Sequence, residues 1–380
     1  MIRSLTIENY RGFRKFELHD LGRVNLIVGT NNAGKTSVLE AIHILESPGE
    51  IMPIWATQTR RGEDFQVSEA VRSVRHIDVC RLFHGHEITV GNQMQILKSG
   101  DRGDRGRKEF HASIIEPKIA SKYAQVEIEP DDMSVDTELG PNAASLLLLW
   151  GNAATEDLIG FQIDLTRHGG LSANELRRIP TSGISDLLIR YVSAGSLSAD
   201  TVINFFEDVV LTPFEDFVIE ALRIIEPSIE RIAPSGTERR KSSSNSMGEK
   251  GGLFVKCKGM DRIPIGSMGD GIWRILGLAL SLAKSEGGIL LIDEIDTGLH
   301  YSVMEDMWKL VTATAKKHNI QVFATTHSRD CVDSLAAVCR ENVSDNSEVT
   351  IQRIEREKNR SVAYTEQEII AAATHGTEVR

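Results

Sequence analysis

Very little in this sequence suits secretion or a membrane. Only four cysteines occur in 380 residues, Cys80, Cys257, Cys331 and Cys339, with no CxxC pair. That excludes a disulfide framework and a zinc cluster, and reduced thiols of a cytoplasmic protein are expected. No window reaches the ~20 uninterrupted apolar residues that cross a bilayer. The richest stretch, Ile272 to Ala283, carries Arg274 and Ser281 and reads as a buried helix. The opening Met-Ile-Arg-Ser-Leu-Thr-Ile alternates like a strand and lacks the apolar core of a signal peptide. No membrane partner is expected. Positive charge is also in deficit: the net charge is −11 and the pI about 5.6. A surface basic all round is excluded, whereas a local basic stripe for nucleic acid is not. Internal repeats and long heptad runs are missing too, which argues against a solenoid or a coiled-coil arm.

What is present is enough apolar material for a core: 41% hydrophobic against 26% charged residues, ordinary for a folded globular chain. Apolar runs read as strands over Ile2 to Asn9, Arg23 to Val28, Leu253 to Cys257, Gly288 to Ile292 and Ile320 to Thr325. Helices are expected over Thr36 to Leu45, Gly271 to Lys284 and Ser302 to Lys317. Strand and helix alternate here as in a parallel sheet. Val74 to Leu97 alternates apolar and polar residues around His84-Gly85-His86 and Gly91-Asn92, as antiparallel strands do, and Lys98 to Lys108 reads as a loop with a solvated tip. Pro141 to about Ile232 reads as helical: Ala143 to Trp150, Ser185 to Tyr191, Ala199 to Val210 and Phe214 to Ile225. Ser235 to Gly252 is a polar linker. The expected fold class is α/β, a P-loop NTPase head with a mixed or parallel sheet, an antiparallel β subdomain and a helical insertion. The expected divisions are an N-terminal lobe over 1–138, a helical insertion or dimerisation arm over 139–232, and a C-terminal lobe over 233–380.

Four motifs carry chemistry. Gly29-Thr-Asn31-Asn32-Ala33-Gly34-Lys35-Thr36 fits GxxxxGK[ST] between an apolar strand and a helix. Such a loop lets backbone N–H groups, here through Ser37, wrap phosphates at a helix N-terminus carrying roughly half a positive charge. Lys35 is expected on the β- and γ-phosphates and the Thr36 hydroxyl on magnesium. Ile289-Leu-Leu-Ile-Asp293-Glu294 sets two carboxylates at the C-terminal end of a buried strand, where α/β sheets bind ligands. Asp293 suits the magnesium ion through water, and Glu294 suits activation of an attacking water. Phe323-Ala-Thr-Thr-His327-Ser328 ends the next strand with a histidine able to bond a γ-phosphate. Ser267-Met-Gly269-Asp270-Gly271 opens a helix with groups suited to a second anion, one held by a partner subunit.

In combination these motifs resemble the ABC ATPases of the RecF, SMC and OLD (overcoming lysogenisation defect) branch. Ile7-Glu-Asn-Tyr-Arg-Gly-Phe13, Val24-Asn25 and the run LIDEIDTGLH belong to the same resemblance. It covers roughly residues 1–130 and 245–335. It implies two ATP molecules sandwiched head to tail in a homodimer or higher homo-oligomer, with Lys35 of one subunit facing Ser267 and Gly269 of the other. It also implies Asp296 in the D-loop, His300 in the LH step after it, and His327 as the switch histidine. The signature has Met268 and Asp270 where transporter ATPases carry Gly and Gln, and the Q-loop glutamine stays open among Gln58, Gln66, Gln93 and Gln95.

The expected activity is hydrolysis of ATP to ADP and phosphate, with ATP and Mg2+ bound. A Toprim nuclease needs on the order of 100 residues with acidic metal ligands, and none is expected after His327. The resemblance then implies a sensor for a separate effector, a nuclease or toxin, in bacterial anti-phage defence. A RecF-like clamp on duplex DNA is the alternative, with Arg102, Arg105, Arg107, Lys108, Arg239, Arg240 and Lys241 as candidate phosphate contacts. A transporter ATPase fits least.

Overall fold

A computed structural model describes residues 1–69, 72–101, 103–116, 144–152, 157–166, 169–176, 188–195, 197–234, 252–341 and 348–379. The first half of the chain holds β1 (Ile2–Tyr10), β2 (Phe13–Leu18), β3 (Val24–Val28), α1 (Lys35–Leu45), α2 (Met52–Arg60), β4 (Asp64–Glu69), β5 (Arg72–Asp78), β6 (Gln93–Gly100), β7 (Gly103–Ile115), β8 (Ser145–Asn152), β9 (Asp157–Asp164), β10 (Gly170–Ser172) and α3 (Ala173–Leu176). The second half holds β11 (Ile189–Val192), α4 (Ala199–Val209), α5 (Pro213–Arg223), β12 (Ile229–Pro234), β13 (Leu253–Cys257), β14 (Ile263–Pro264), α6 (Asp270–Ala283), β15 (Ile289–Ile292), α7 (Tyr301–Lys317), β16 (Gln321–Thr325), α8 (Arg329–Glu341), β17 (Val349–Arg353), β18 (Val362–Tyr364) and α9 (Glu366–His375).

The chain divides into two compact units. The first comprises Met1–Leu21, Asn32–Asp186 and Ile354–Ser361. Its main sheet is antiparallel in the order β2-β1-β6-β7-β8-β9, beside a smaller sheet β10-β5-β4. Leu5, Ile7, Met94, Ile96, Phe110 and Ala112 alternate inward along its strands and are almost wholly buried. The Trp150 indole donates to the Ile44 carbonyl at 2.8 Å, tying β8 to the end of α1.

The second unit comprises Gly22–Asn31, Leu187–Arg353 and Val362–Arg380. Its sheet runs β11-β15-β16-β3-β17-β18, parallel throughout except for the antiparallel β17–β18 pair. Every residue of β3, β15 and β16 is buried, which is why these strands are apolar without alternation. The buried exception in β3, Asn25, donates to the carbonyls of Gly22 and Val322 and accepts from Gly22 N–H and the Thr350 hydroxyl. One amide thereby joins three strands at no desolvation loss.

The α/β class, the parallel sheet and the antiparallel β subdomain are as expected. The helix expected over Ala143 to Trp150 is not: from Ser145 on, its described residues form strand β8, with Leu146, Leu148 and Trp150 buried against Ile114, Ala112 and Phe110 of β7. An unbroken leucine run carries no period, so its neighbours decide its conformation. Ser185 to Tyr191 is also corrected, since its described end is β11, pairing in parallel with β15. The described residues of 139–232 thus fall into both units, and of the four helices expected there α4 and α5 keep the helical form. Lys98 to Lys108 is less of a loop than expected: Lys98 pairs with Lys108 and Gly100 with Gly103 across the β6–β7 ladder. The polar linker 235–251 lies outside the described residues. Among the described residues, no helix is long and apolar enough to cross a membrane.

Candidate functional site

The phosphate-loop motif begins where β3 ends. Gly29 has φ 147 and Gly34 φ 102, conformations glycine adopts without strain; Asn32 is left-handed at φ 61, which asparagine tolerates better than most residues. Asn31 and Asn32 are exposed, while Lys35 and Thr36 are half-buried in the first turn of α1. Gly34 is also a packing requirement. A Cβ there would lie 2.3 Å from Phe13 Cζ, and Phe13 stacks on Phe16 at 4.8 Å. The opening Tyr-Arg-Gly-Phe thus packs its Phe13 ring against the phosphate-loop glycine within the first unit.

Ser37 is 7% exposed and its hydroxyl accepts from Arg61 at 3.3 Å. What it offers an anion is therefore its backbone N–H. Arg61 is bidentate on Glu40, at 2.9 and 3.0 Å. Arg11 is bidentate on Glu63, at 2.8 and 2.9 Å, and lies 3.3 Å from Glu40. The neighbouring Tyr10 phenol is pushed up to about 12 by burial. This buried charge network clamps α1 from below, and sequence reasoning missed it.

In the second unit the carboxylates stand where the motif put them, at the C-terminal end of β15. The Thr325 hydroxyl organises them: it donates to Asp293 Oδ1 at 2.7 Å and accepts from the Glu294 N–H at 2.8 Å. Glu294 has φ 48, a left-handed conformation costing a non-glycine residue about 1–2 kcal/mol. Its side chain is 41% exposed, with Thr297 Oγ1 at 3.2 Å and His327 Nδ1 at 3.8 Å. The structure thus brings Asp293, Glu294 and His327 to one edge of one sheet. Asp296 accepts from the Thr326 hydroxyl at 2.6 Å, linking the D-loop to the end of β16.

The signature segment lies in the same unit. Ser267 and Gly269 are exposed, and Gly269, at φ 94 and ψ 174, caps α6 in a conformation open essentially to glycine alone. A Cβ on Gly271 would lie 3.2 Å from the Gly298 carbonyl, so the first turn of α6 rests on the D-loop backbone. Arg274, noted in the sequence only as an interruption of an apolar helix, is 3% exposed and donates to the carbonyls of Ser193, Asp293 and Glu294. His300 has a structural task, with its Nδ1 accepting from the Ser302 N–H as the N-cap of α7.

The family model described as an AAA ATPase domain matches residues 1–133 and 185–332, more than half of the chain. The chain belongs to the AAA ATPase domain family. Its curated relatives include an ATP/GTP phosphatase of Helicobacter pylori, 21% identical over 356 residues and covering 90% of this chain and 89% of the relative. A DNA replication and repair protein RecF of Xanthomonas oryzae is 48% identical over 44 residues, 12% of each chain. Among solved structures, the SMC head domain from Thermotoga maritima is 12% identical with a TM-score of 0.43, covering 96% of this chain and 98% of that one.

Other candidate residues of this AAA ATPase domain are less informative. Gln58 is buried and donates to the Asp78 carbonyl at 2.7 Å, Gln66 and Gln93 are exposed, and Gln95 lies 3.4 Å from His111. None is singled out as a Q-loop residue. Of the candidate DNA contacts, Arg102, Arg239, Arg240 and Lys241 lie outside the described residues, as does the Arg105 side chain. Arg107 is exposed, and Lys108 lies 3.8 Å from the buried Glu46 carboxylate.

Proposed function

We propose that this AAA ATPase domain binds ATP with magnesium through Gly29 to Ser37 and Asp293 and hydrolyses it with Glu294 as general base. The observation that carries the reading is the presentation of Glu294, a half-exposed carboxylate on a strained turn pinned at the end of a parallel strand. Its carboxylate would take a proton from the water attacking the γ-phosphorus while the bond to the β–γ bridging oxygen breaks. His327, 3.8 Å from that carboxylate, would bond the γ-phosphate, and Lys35 the β- and γ-phosphates. Thr36 and Asp293 supply the hydroxyl and carboxylate oxygens that suit a magnesium ion, whose charge, when bound, offsets that on the phosphates. Glu294→Gln is expected to lower phosphate release about 10²- to 10⁴-fold while ATP binding persists. An unchanged rate rejects the base. The name of the Helicobacter relative makes GTP the second nucleotide to test.

The exposed Ser267 and Gly269 support a sandwich in which they meet the nucleotide of a second copy, giving a homodimer or larger homo-oligomer. Light scattering of Glu294→Gln with Mg-ATP is expected to show the larger species, and a monomer under those conditions counts against it. The OLD-like motifs support a sensor acting on a separate nuclease or toxin in anti-phage defence, which genes adjacent to this one and phage plating with Glu294→Gln would test. The short RecF matches favour a second reading, a clamp on duplex DNA. That reading requires binding that weakens steeply with salt and turnover stimulated by DNA.

A further inference from the structure

Arg274 lies one turn into α6, four residues after Asp270, the helix's first residue. Its Nη1 donates to the Ser193 carbonyl at 2.9 Å, and its Nη2 to the carbonyls of Asp293 at 2.9 Å and Glu294 at 2.6 Å. Ser193 follows β11 and Asp293 follows β15, so one guanidinium closes the C-terminal ends of two neighbouring strands. Burial lowers its pKa, and the Asp296, Asp293 and Glu294 carboxylates oppose that shift; as an arginine it stays charged. An ion placed here costs more than a leucine or methionine of similar size would, so stability alone is a poor reason for it.

The acceptors suggest a better one. Glu294 sits in the left-handed region at φ 48, and its backbone is gripped on both sides, the N–H by Thr325 and the carbonyl by Arg274. The same helix opens with the signature turn and rests at Gly271 on the D-loop carbonyl of Gly298. We infer that Arg274 is a positioning residue: it holds the Glu294 backbone in the turn that hydrolysis requires and ties that turn to the signature helix. This rests on the reading of Glu294 as the base. It makes α6 a rigid link between the residues meeting a partner's nucleotide and the base serving this chain's own.

The test uses the full chain carrying Arg274→Gln, Arg274→Lys, Glu294→Gln and the double variant Arg274→Gln/Glu294→Gln. Phosphate release with Mg-ATP and the Kd of a fluorescent ATP analogue are both measured. Arg274→Gln is expected to lower kcat about 10- to 100-fold with Kd changed less than about threefold, because a small displacement of a catalytic group is costly while nucleotide binding is not touched. Arg274→Lys, which keeps the charge but not the fork, is expected to recover part of the rate. In the Glu294→Gln background the arginine change is expected to add nothing. A near-wild-type kcat in Arg274→Gln, with Glu294→Gln inactive, overturns the inference and leaves the base standing. A wild-type rate in Glu294→Gln removes the base and this inference together. An equal loss with and without Glu294, or failure of both arginine variants to fold and bind nucleotide, makes Arg274 a core prop and overturns its role.

Discussion

Gly34→Ala separates two reasons for a glycine in the phosphate loop. The first is backbone: at φ 102 and ψ 11 an alanine pays about 1–2 kcal/mol for the left-handed conformation. The second is packing. The new methyl would sit 2.3 Å from Phe13 Cζ and 3.0 Å from both Cε atoms, far inside contact distance. Phe13 is 8% exposed and stacked on Phe16, so the ring cannot swing aside freely, and overpacking of this kind costs about 1–3 kcal/mol. Together Gly34→Ala should destabilise by about 2–5 kcal/mol. Phe13→Leu removes the offending end of the ring, so in that background Gly34→Ala should cost only the backbone share, leaving a coupling of about 1–3 kcal/mol. Urea unfolding followed by circular dichroism on the four proteins of this cycle measures it. A coupling below about 0.5 kcal/mol, within the additivity of independent sites, shows that Phe13 does not press on the loop.

Two further perturbations probe the first unit. Arg11→Met strips Glu63 of its bidentate partner and leaves Glu40 to Arg61 alone; a loss of about 3–5 kcal/mol is expected for breaking such a buried pair, recovered in part by Arg11→Met/Glu63→Leu and read from the urea midpoint. His43, on α1, has its pKa pushed down to about 4 by burial and then by the Arg60 charge. The unfolded imidazole gains its proton near 6.5, so stability is full above that pH, declines between 6.5 and 4, and is flat below. About 3 kcal/mol should disappear over this window, and the slope should vanish in His43→Phe; an unchanged pH dependence in that variant refutes the assignment.

The motifs were legible because each is local. A glycine loop after an apolar strand, two carboxylates ending a strand and a serine–glycine turn opening a helix need only neighbours in sequence, and all stand at the element ends expected of them. Leu146 to Trp150 was not legible, because the strand form of a run of leucines is decided by Phe110, Ala112 and Ile114, dozens of residues away. Arg274 was visible as a charge in an apolar helix, but its acceptors are carbonyls contributed by two strands, and carbonyls carry no residue identity. The Arg11, Glu40, Arg61 and Glu63 network was hidden similarly, its members being common surface types whose pairing arises when α1, α2 and the first hairpin meet.

The sequence by itself determined the class of fold and which residues are candidates for chemistry, since residue type, spacing and apolar period are properties of the chain. Only the tertiary structure decided how those residues are held: the left-handed turn at Glu294, the Thr325 hydroxyl shared with Asp293, and the guanidinium closing two strand ends. Those are contacts between groups far apart in the chain. Burial makes each of them strong, and burial exists only once the sheet has formed.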